Sequence, residues 1–164
     1  MDLSTLEKYD VQKMYKVYDK WPEIARESFE SNQEQIHFDN IDHIVFAGMG
    51  GSGAIGDLFD SILSKSNIHV SLVKGYLLPK TVDKNTLVVV TSVSGNTSET
   101  LTVMDSAKKI DCSLIAFSSG GKMKEICERD KITFKKIPIF HSPRTSLVGF
   151  TYSILKTLNS ILPI

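Results

Sequence analysis

Thr91-Ser92-Val93-Ser94-Gly95-Asn96-Thr97-Ser98-Glu99-Thr100 decides how the rest of the chain is read. It follows Thr86-Leu87-Val88-Val89-Val90, an apolar run with the length and β-branched content of a buried strand. It precedes Leu101, Val103, Met104 and Ala107, which recur at helical spacing. A strand therefore ends in a loop of hydroxyls and Gly-Asn, and the loop feeds a helix N-terminus. Such a terminus has unpaired N–H groups and partial positive charge, and both suit an oxyanion. Ser92, Ser94 and Thr97 add three hydroxyl donors. None of this group needs a metal or a cationic side chain to hold a phosphate.

Outward from this loop, strand and helix patterns alternate. His43-Ile44-Val45-Phe46-Ala47 predicts a short buried strand, followed by the turn Gly48-Met49-Gly50-Gly51-Ser52-Gly53. Ala54, Ile55, Leu58, Phe59, Ile62 and Leu63 then follow at helical spacing. Further strands are predicted at Ile68 to Val73, Ser113 to Phe117 and, edge-like, Ile132 to Ile137. A short helix is expected from Lys122 to Arg129, and a last one carries Leu147, Phe150, Ile154, Leu155, Leu158 and Ile161. Short apolar strands alternating with helices imply an α/β protein, a three-layer α-β-α sandwich around a five-stranded parallel sheet. Ligands in such folds sit beyond the carboxyl ends of the strands. Three loops at that edge are rich in Gly and Ser: those after the first, third and fourth strands.

Residues 1–38 read as a separate helical segment in two pieces, packing on the domain or on a partner; 39–164 form the domain itself. Val11, Met14, Tyr15 and Tyr18 give the first piece one apolar face. Pro22 suits the first turn of the second piece, which runs through Ile24, Ala25 and Phe29.

The totals exclude several classes. Nineteen basic and nineteen acidic residues cancel, which argues against broad binding to nucleic acid or an anionic membrane. The start of the chain is polar, with no signal peptide or anchor pattern, and no run approaches a membrane span. A soluble, cytoplasmic protein is expected. Cys112 and Cys127 make no metal or redox spacing and read as buried thiols.

Gly48 to Gly53 fits a dinucleotide turn, but a lone glycine pattern is weak. The acidic residue expected after the second strand is replaced by Val73-Lys74-Gly75. There is no Gly-Lys-Ser/Thr phosphate loop. No cofactor is called for. The bland alternative is that the glycines make only a tight strand-to-helix turn; a second hydroxyl-rich loop at the same edge weakens it.

Four motifs in order resemble the N-terminal sugar-isomerase (SIS) domain of the bifunctional phosphoglucose/phosphomannose isomerases, a flavodoxin-like or Rossmann-like fold. They are Gly48-Met49-Gly50-Gly51-Ser52, Ser92 to Leu101, Ser118-Ser119-Gly120-Gly121-Lys122 and Pro143-Arg144. Val93 departs from the Tyr usual in that branch. The resemblance implies that Ser52, Ser92, Ser94 and Thr97 hold the substrate phosphate with the backbone of Gly50 and Gly51. It places Arg144 near the reacting carbons, where a fixed cation stabilises an enediolate; the alternative for Arg144 is an exposed helix-start residue. Glu99 reads as a first-turn residue balancing the helix dipole. His43 and His69 read as structural, and His141 as a solvated loop residue.

The implied reaction interconverts glucose 6-phosphate or mannose 6-phosphate with fructose 6-phosphate through an enediol. The family's catalytic glutamate and histidine lie in a second SIS domain, and no base is assigned within these residues. The expected partners are a hexose phosphate and a second SIS domain or a second copy of the chain. The last helix and the N-terminal helices offer apolar faces for that pairing. A non-catalytic phosphosugar sensor and a purely structural module stay open as alternatives.

Overall fold

The computed structural model describes residues 2–31 and 36–162. Residues 32–35, within the stretch read as helical, and 163–164 lie outside the described residues.

Among the described residues the helices are α1 (Leu3–Tyr9), α2 (Tyr15–Asp19), α3 (Trp21–Glu30), α4 (Gly51–Leu63), α5 (Ser98–Ala107), α6 (Gly121–Asp130) and α7 (Leu147–Thr157). The strands are β1 (His43–Ala47), β2 (His69–Val73), β3 (Thr86–Ser92), β4 (Ser113–Ser118) and β5 (Thr133–Lys136). All five strands pair in parallel, in the order β2-β1-β3-β4-β5. β1 and β3 are buried along their whole length, so they need apolar side chains on both faces.

Alternate residues of these strands build two cores. Ile44, Phe46, Leu87, Val89, Ile115 and Phe117 pack with Phe59 of α4 and Phe150, Ile154 and Leu158 beside them on α7. Val45, Val88, Val90 and Ala116 pack on the other face with Val103 and Met104 of α5 and Met123 and Cys127 of α6. Each fully buried phenylalanine contributes about 2–3 kcal/mol by transfer. α3 lies on α7, outside the first core. No described helix is long and apolar enough to cross a membrane.

The chain winds from β1 outward to β2, returns to the far side of β1 as β3, and winds the other way through β4 and β5. The winding therefore reverses between β1 and β3. The two loops leaving these strands diverge there, and they are the glycine turn and the hydroxyl loop.

Three expectations are corrected. The described residues of the N-terminal segment hold three helices, not two. Asp10 ends α1 and accepts the Tyr15 amide at 2.8 Å, while Lys13 takes a left-handed φ of 54° between them. Val11 falls in that turn and is 79% exposed, so it belongs to no apolar helix face. β3 runs two residues beyond the apolar run, because Thr91 and Ser92 pair with Phe117 and Ser118 of β4. Finally, the apolar face of α7 is taken up by its own domain's core, and buried Ile24 of α3 joins the packing of α3 on α7. The apolar side chains left exposed on this side are instead Leu58 and Ile62 of α4 and Tyr152 of α7. Pro22 does stand in the first turn of α3.

Candidate functional site

The hydroxyl loop is fixed before any ligand is considered. Ser92 Oγ lies 2.9 Å from Thr97 Oγ1 and accepts the Gly95 amide at 3.1 Å. Ser94 Oγ accepts the Asn96 amide at 3.2 Å. Gly95 sits at φ +70°, and a Cβ there would lie 2.6 Å from Ser118 Oγ and overlap the Gly120 carbonyl. Only glycine fits this position.

The loop after β4 does not add donors to the cleft; it props the hydroxyl loop from behind. Ser119 donates both its amide (3.1 Å) and its hydroxyl (2.6 Å) to the Val93 carbonyl. The Met123 amide donates to the Gly95 carbonyl at 2.9 Å. Asn96 Oδ1 accepts the Lys122 amide at 3.1 Å, and Asn96 Nδ2 donates to the Ser94 carbonyl at 3.2 Å. By sequence the loop after β4 is one of three Gly- and Ser-rich loops at the edge where ligands sit. Its bonds give it another task.

On the other side of the reversal, Gly50 takes φ 55° and ψ −125° as the cap of α4. The amides of Ser52 and Gly53 both turn back to the Met49 carbonyl. α4 and α5 therefore start side by side at the same sheet edge, each with first-turn amides and the positive end of its dipole.

Between them opens a cleft of about 450 Å³. Ser52 and Gly51 line it from α4, Ser94 and Thr97 from the hydroxyl loop, and Arg144 from the loop before α7. Met49, Ala54, Val93, Pro143 and Leu147 form its apolar walls. Among the described residues no Asp, Glu or His lines it, and Arg144 is its one charged lining residue. Arg144 is exposed and makes no ion pair among the described residues.

The structure thus brings Gly51, Ser52, Ser94, Thr97 and Arg144 together. Gly50 shapes the turn and stands just outside the lining. Ser92 differs more. It ends β3, is 1% exposed, and its hydroxyl serves Thr97 and Gly95 instead of the cleft. Its contribution is to orient Thr97. Glu99 lies in the first turn of α5, away from the lining. His141 faces a different hollow, and its Nε2–H donates to the Gln12 carbonyl at 3.1 Å.

His43 Nε2 is 2.9 Å from Ser71 Oγ at the opposite sheet edge, and its ring stands 4.9 Å from that of His69. Burial holds the His43 imidazole below its ordinary pKa, and neighbouring His69 adds to this. Burial pushes the Cys127 thiol up to about 11, and Cys112 shifts the same way.

Sequence reasoning missed the apolar walls and the supports behind the loops. Leu147 and Met49 look like ordinary helix and turn residues until the fold sets them across from Val93.

The SIS domain family model matches residues 37–162. The bifunctional phosphoglucose/phosphomannose isomerase of Caldicellulosiruptor bescii is 36% identical over 135 residues, covering 80% of this chain and 40% of that protein. The D-glucosamine-6-phosphate 4-epimerase of Sulfolobus acidocaldarius is 31% identical over 145 residues, covering 88% of this chain and 44% of that protein. The chain thus spans less than half the length of these curated relatives. The solved glucosamine-6-phosphate deaminase of Thermotoga maritima shares the fold with a TM-score of 0.61 at 19% identity, over 90% of this chain and 49% of its own. With the matched family model spanning sheet, switch point and cleft alike, the chain belongs to the SIS domain family.

Proposed function

We propose that this chain supplies the phosphate-gripping half of a phosphosugar isomerase site. The reaction is the interconversion of glucose 6-phosphate or mannose 6-phosphate with fructose 6-phosphate. One observation carries the reading: three hydroxyls and one guanidinium line a single cleft at two helix N-termini. The names of both curated relatives specify phosphorylated sugars.

In this reading Ser52, Ser94 and Thr97 donate to the phosphate, with the amides of Gly50 and Gly51. Ser92 keeps Thr97 in place. A base removes the C2 proton of the open-chain aldose, and the C1 carbonyl oxygen gains the charge of the enediolate. Arg144 meets that charge, and a fixed cation is worth most where charge develops. The hydroxyl proton passes from O2 to O1, and return of the abstracted proton to C1 then forms the C2 carbonyl and completes the ketose. Among the described residues the cleft lining holds no Asp, Glu or His to act as base or ring-opening acid, and in this reading a second SIS domain supplies both. Pairing uses the exposed apolar strip of α4 at Leu58 (46% exposed) and Ile62 (40%), beside Tyr152 of α7.

The test combines binding and turnover. Fructose 6-phosphate is titrated into the chain by calorimetry, and its formation is followed in a coupled assay, with the chain alone and with a second SIS-domain polypeptide. Binding that is lost in Ser94→Ala/Thr97→Ala, with turnover only in the paired sample, supports the reading. Hexose phosphates that leave the melting temperature untouched overturn it. The same absence of a base favours a second reading, a phosphosugar sensor without turnover; binding with no activity in either sample selects it.

A further inference from the structure

The loop that carries Arg144 is held from two directions. From within, the Phe140 amide donates to Ser146 Oγ at 2.9 Å, and Ser146 Oγ donates to the Ser142 carbonyl at 2.7 Å. Thr145, fully buried, bonds through its hydroxyl to the carbonyls of Phe140 and Ser142. From without, the N-terminal segment takes hold of three residues around Arg144. The Trp21 indole N–H donates to the Thr145 carbonyl at 2.9 Å. The Gln12 carbonyl accepts from His141 at 3.1 Å, and Ser142 Oγ donates to Met14 Sδ at 3.8 Å. Tyr18 fixes the indole in turn, edge-on, with ring centroids 4.9 Å apart.

These contacts join residues more than 120 positions apart, and they converge on the residues that flank Arg144. Arg144 itself bonds to none of them and lines the cleft. The loop is anchored and its cation is left exposed for a ligand. We infer that Trp21 is a positioning residue for the phosphosugar site: its indole N–H fixes the backbone beside Arg144 and so sets where the guanidinium meets the sugar. The inference rests on the phosphosugar reading for its function and on the Trp21–Thr145 bond for its geometry. A cation held in place before binding loses less freedom when the ligand arrives.

Trp21→Phe keeps an aromatic ring beside Tyr18 and removes the indole N–H together with the five-membered ring that carries it. The hydroxyl loop lies on the other wall, so affinity for inorganic phosphate is expected to stay unchanged. Affinity for fructose 6-phosphate is expected to fall about five-fold, the order of one hydrogen bond. In the Arg144→Ala background the same substitution is expected to cost nothing further, because the two act through one contact. Equal loss in both backgrounds, or loss of phosphate affinity as well, marks a merely structural role and overturns the inference. Amide exchange decides it without any ligand. Exchange at Ser142 to Ser146 is expected to rise in Trp21→Phe while β3 and β4 stay protected, and unchanged exchange overturns the anchoring. A wild-type chain that binds phosphate but no hexose phosphate defeats the phosphosugar reading alone, and the exchange rates then decide whether Trp21 anchors the loop.

Discussion

The Ser92 hydroxyl lies 2.9 Å from the Thr97 hydroxyl and also receives the Gly95 amide, so one buried side chain ties the end of β3 to the start of α5. Ser92→Ala takes away the hydroxyl partner of Thr97 and leaves the Gly95 amide with only the Ser92 backbone carbonyl, 3.1 Å away. A loss of about 1–3 kcal/mol is expected in urea denaturation. Fructose 6-phosphate binding should weaken although Ser92 lies outside the cleft. A variant with wild-type stability and affinity removes Ser92 from the site's support.

Gly95 combines a left-handed φ with a closed space at its Cα. Gly95→Ala is destabilising twice over, through the backbone conformation and through displacement of the Gly120 carbonyl. More than about 2 kcal/mol of stability should disappear. The hydroxyl loop moves with it, so phosphate affinity falls too. Thermal melts with and without phosphate measure both effects.

Thr100 is 1% exposed, and its hydroxyl has no hydrogen-bond partner among the described residues. Thr100→Val keeps the shape and removes the unsatisfied group. Stability is expected to rise by about 1 kcal/mol, with phosphate binding unchanged. Destabilisation on this substitution points to a partner for the hydroxyl.

His43 titrates below its ordinary value of 6.5 because burial disfavours its charged form, with His69 as a second cause. The unfolded chain therefore binds the proton more readily. The stability involved is complete above about pH 6.5 and is lost as pH falls towards the folded pKa. The melting temperature should drop between pH 7 and pH 5. His69→Gln removes the like charge and should move the His43 transition upward in an NMR titration.

Much of this fold can be read from residue order, because a strand buried on both faces and a helix buried on one leave different apolar periods. β1, β3 and α4 declare themselves in this way, and the hydroxyls at 94 and 97 stand at a strand-to-helix junction for a stated electrostatic reason. Ser92 is harder. Only its pairing with Ser118 turns it inward, and no local pattern carries a cross-strand partner. The Ser118–Gly121 loop misleads for a related reason, since glycines that admit a ligand and glycines that admit another loop look alike. The third N-terminal helix is hidden because Asp10 breaks an otherwise helical run by accepting an amide five residues ahead. Which apolar surface stays exposed is legible only after packing. α7 is apolar on the face its own sheet consumes, and the leftover strip on α4 depends on which residues that sheet does not reach.

β1 and β3 lie edge to edge, yet their paired residues His43 and Thr86 are 43 positions apart in the chain. The two walls of the cleft consequently meet only after the polypeptide has closed the long connection between them. If the cleft takes a sugar phosphate as proposed, no fragment ending at β2 would bind one, however well its glycine turn is formed. The ligand would then find nothing to hold during refolding until that closure, and its influence would fall on how slowly the finished protein comes apart.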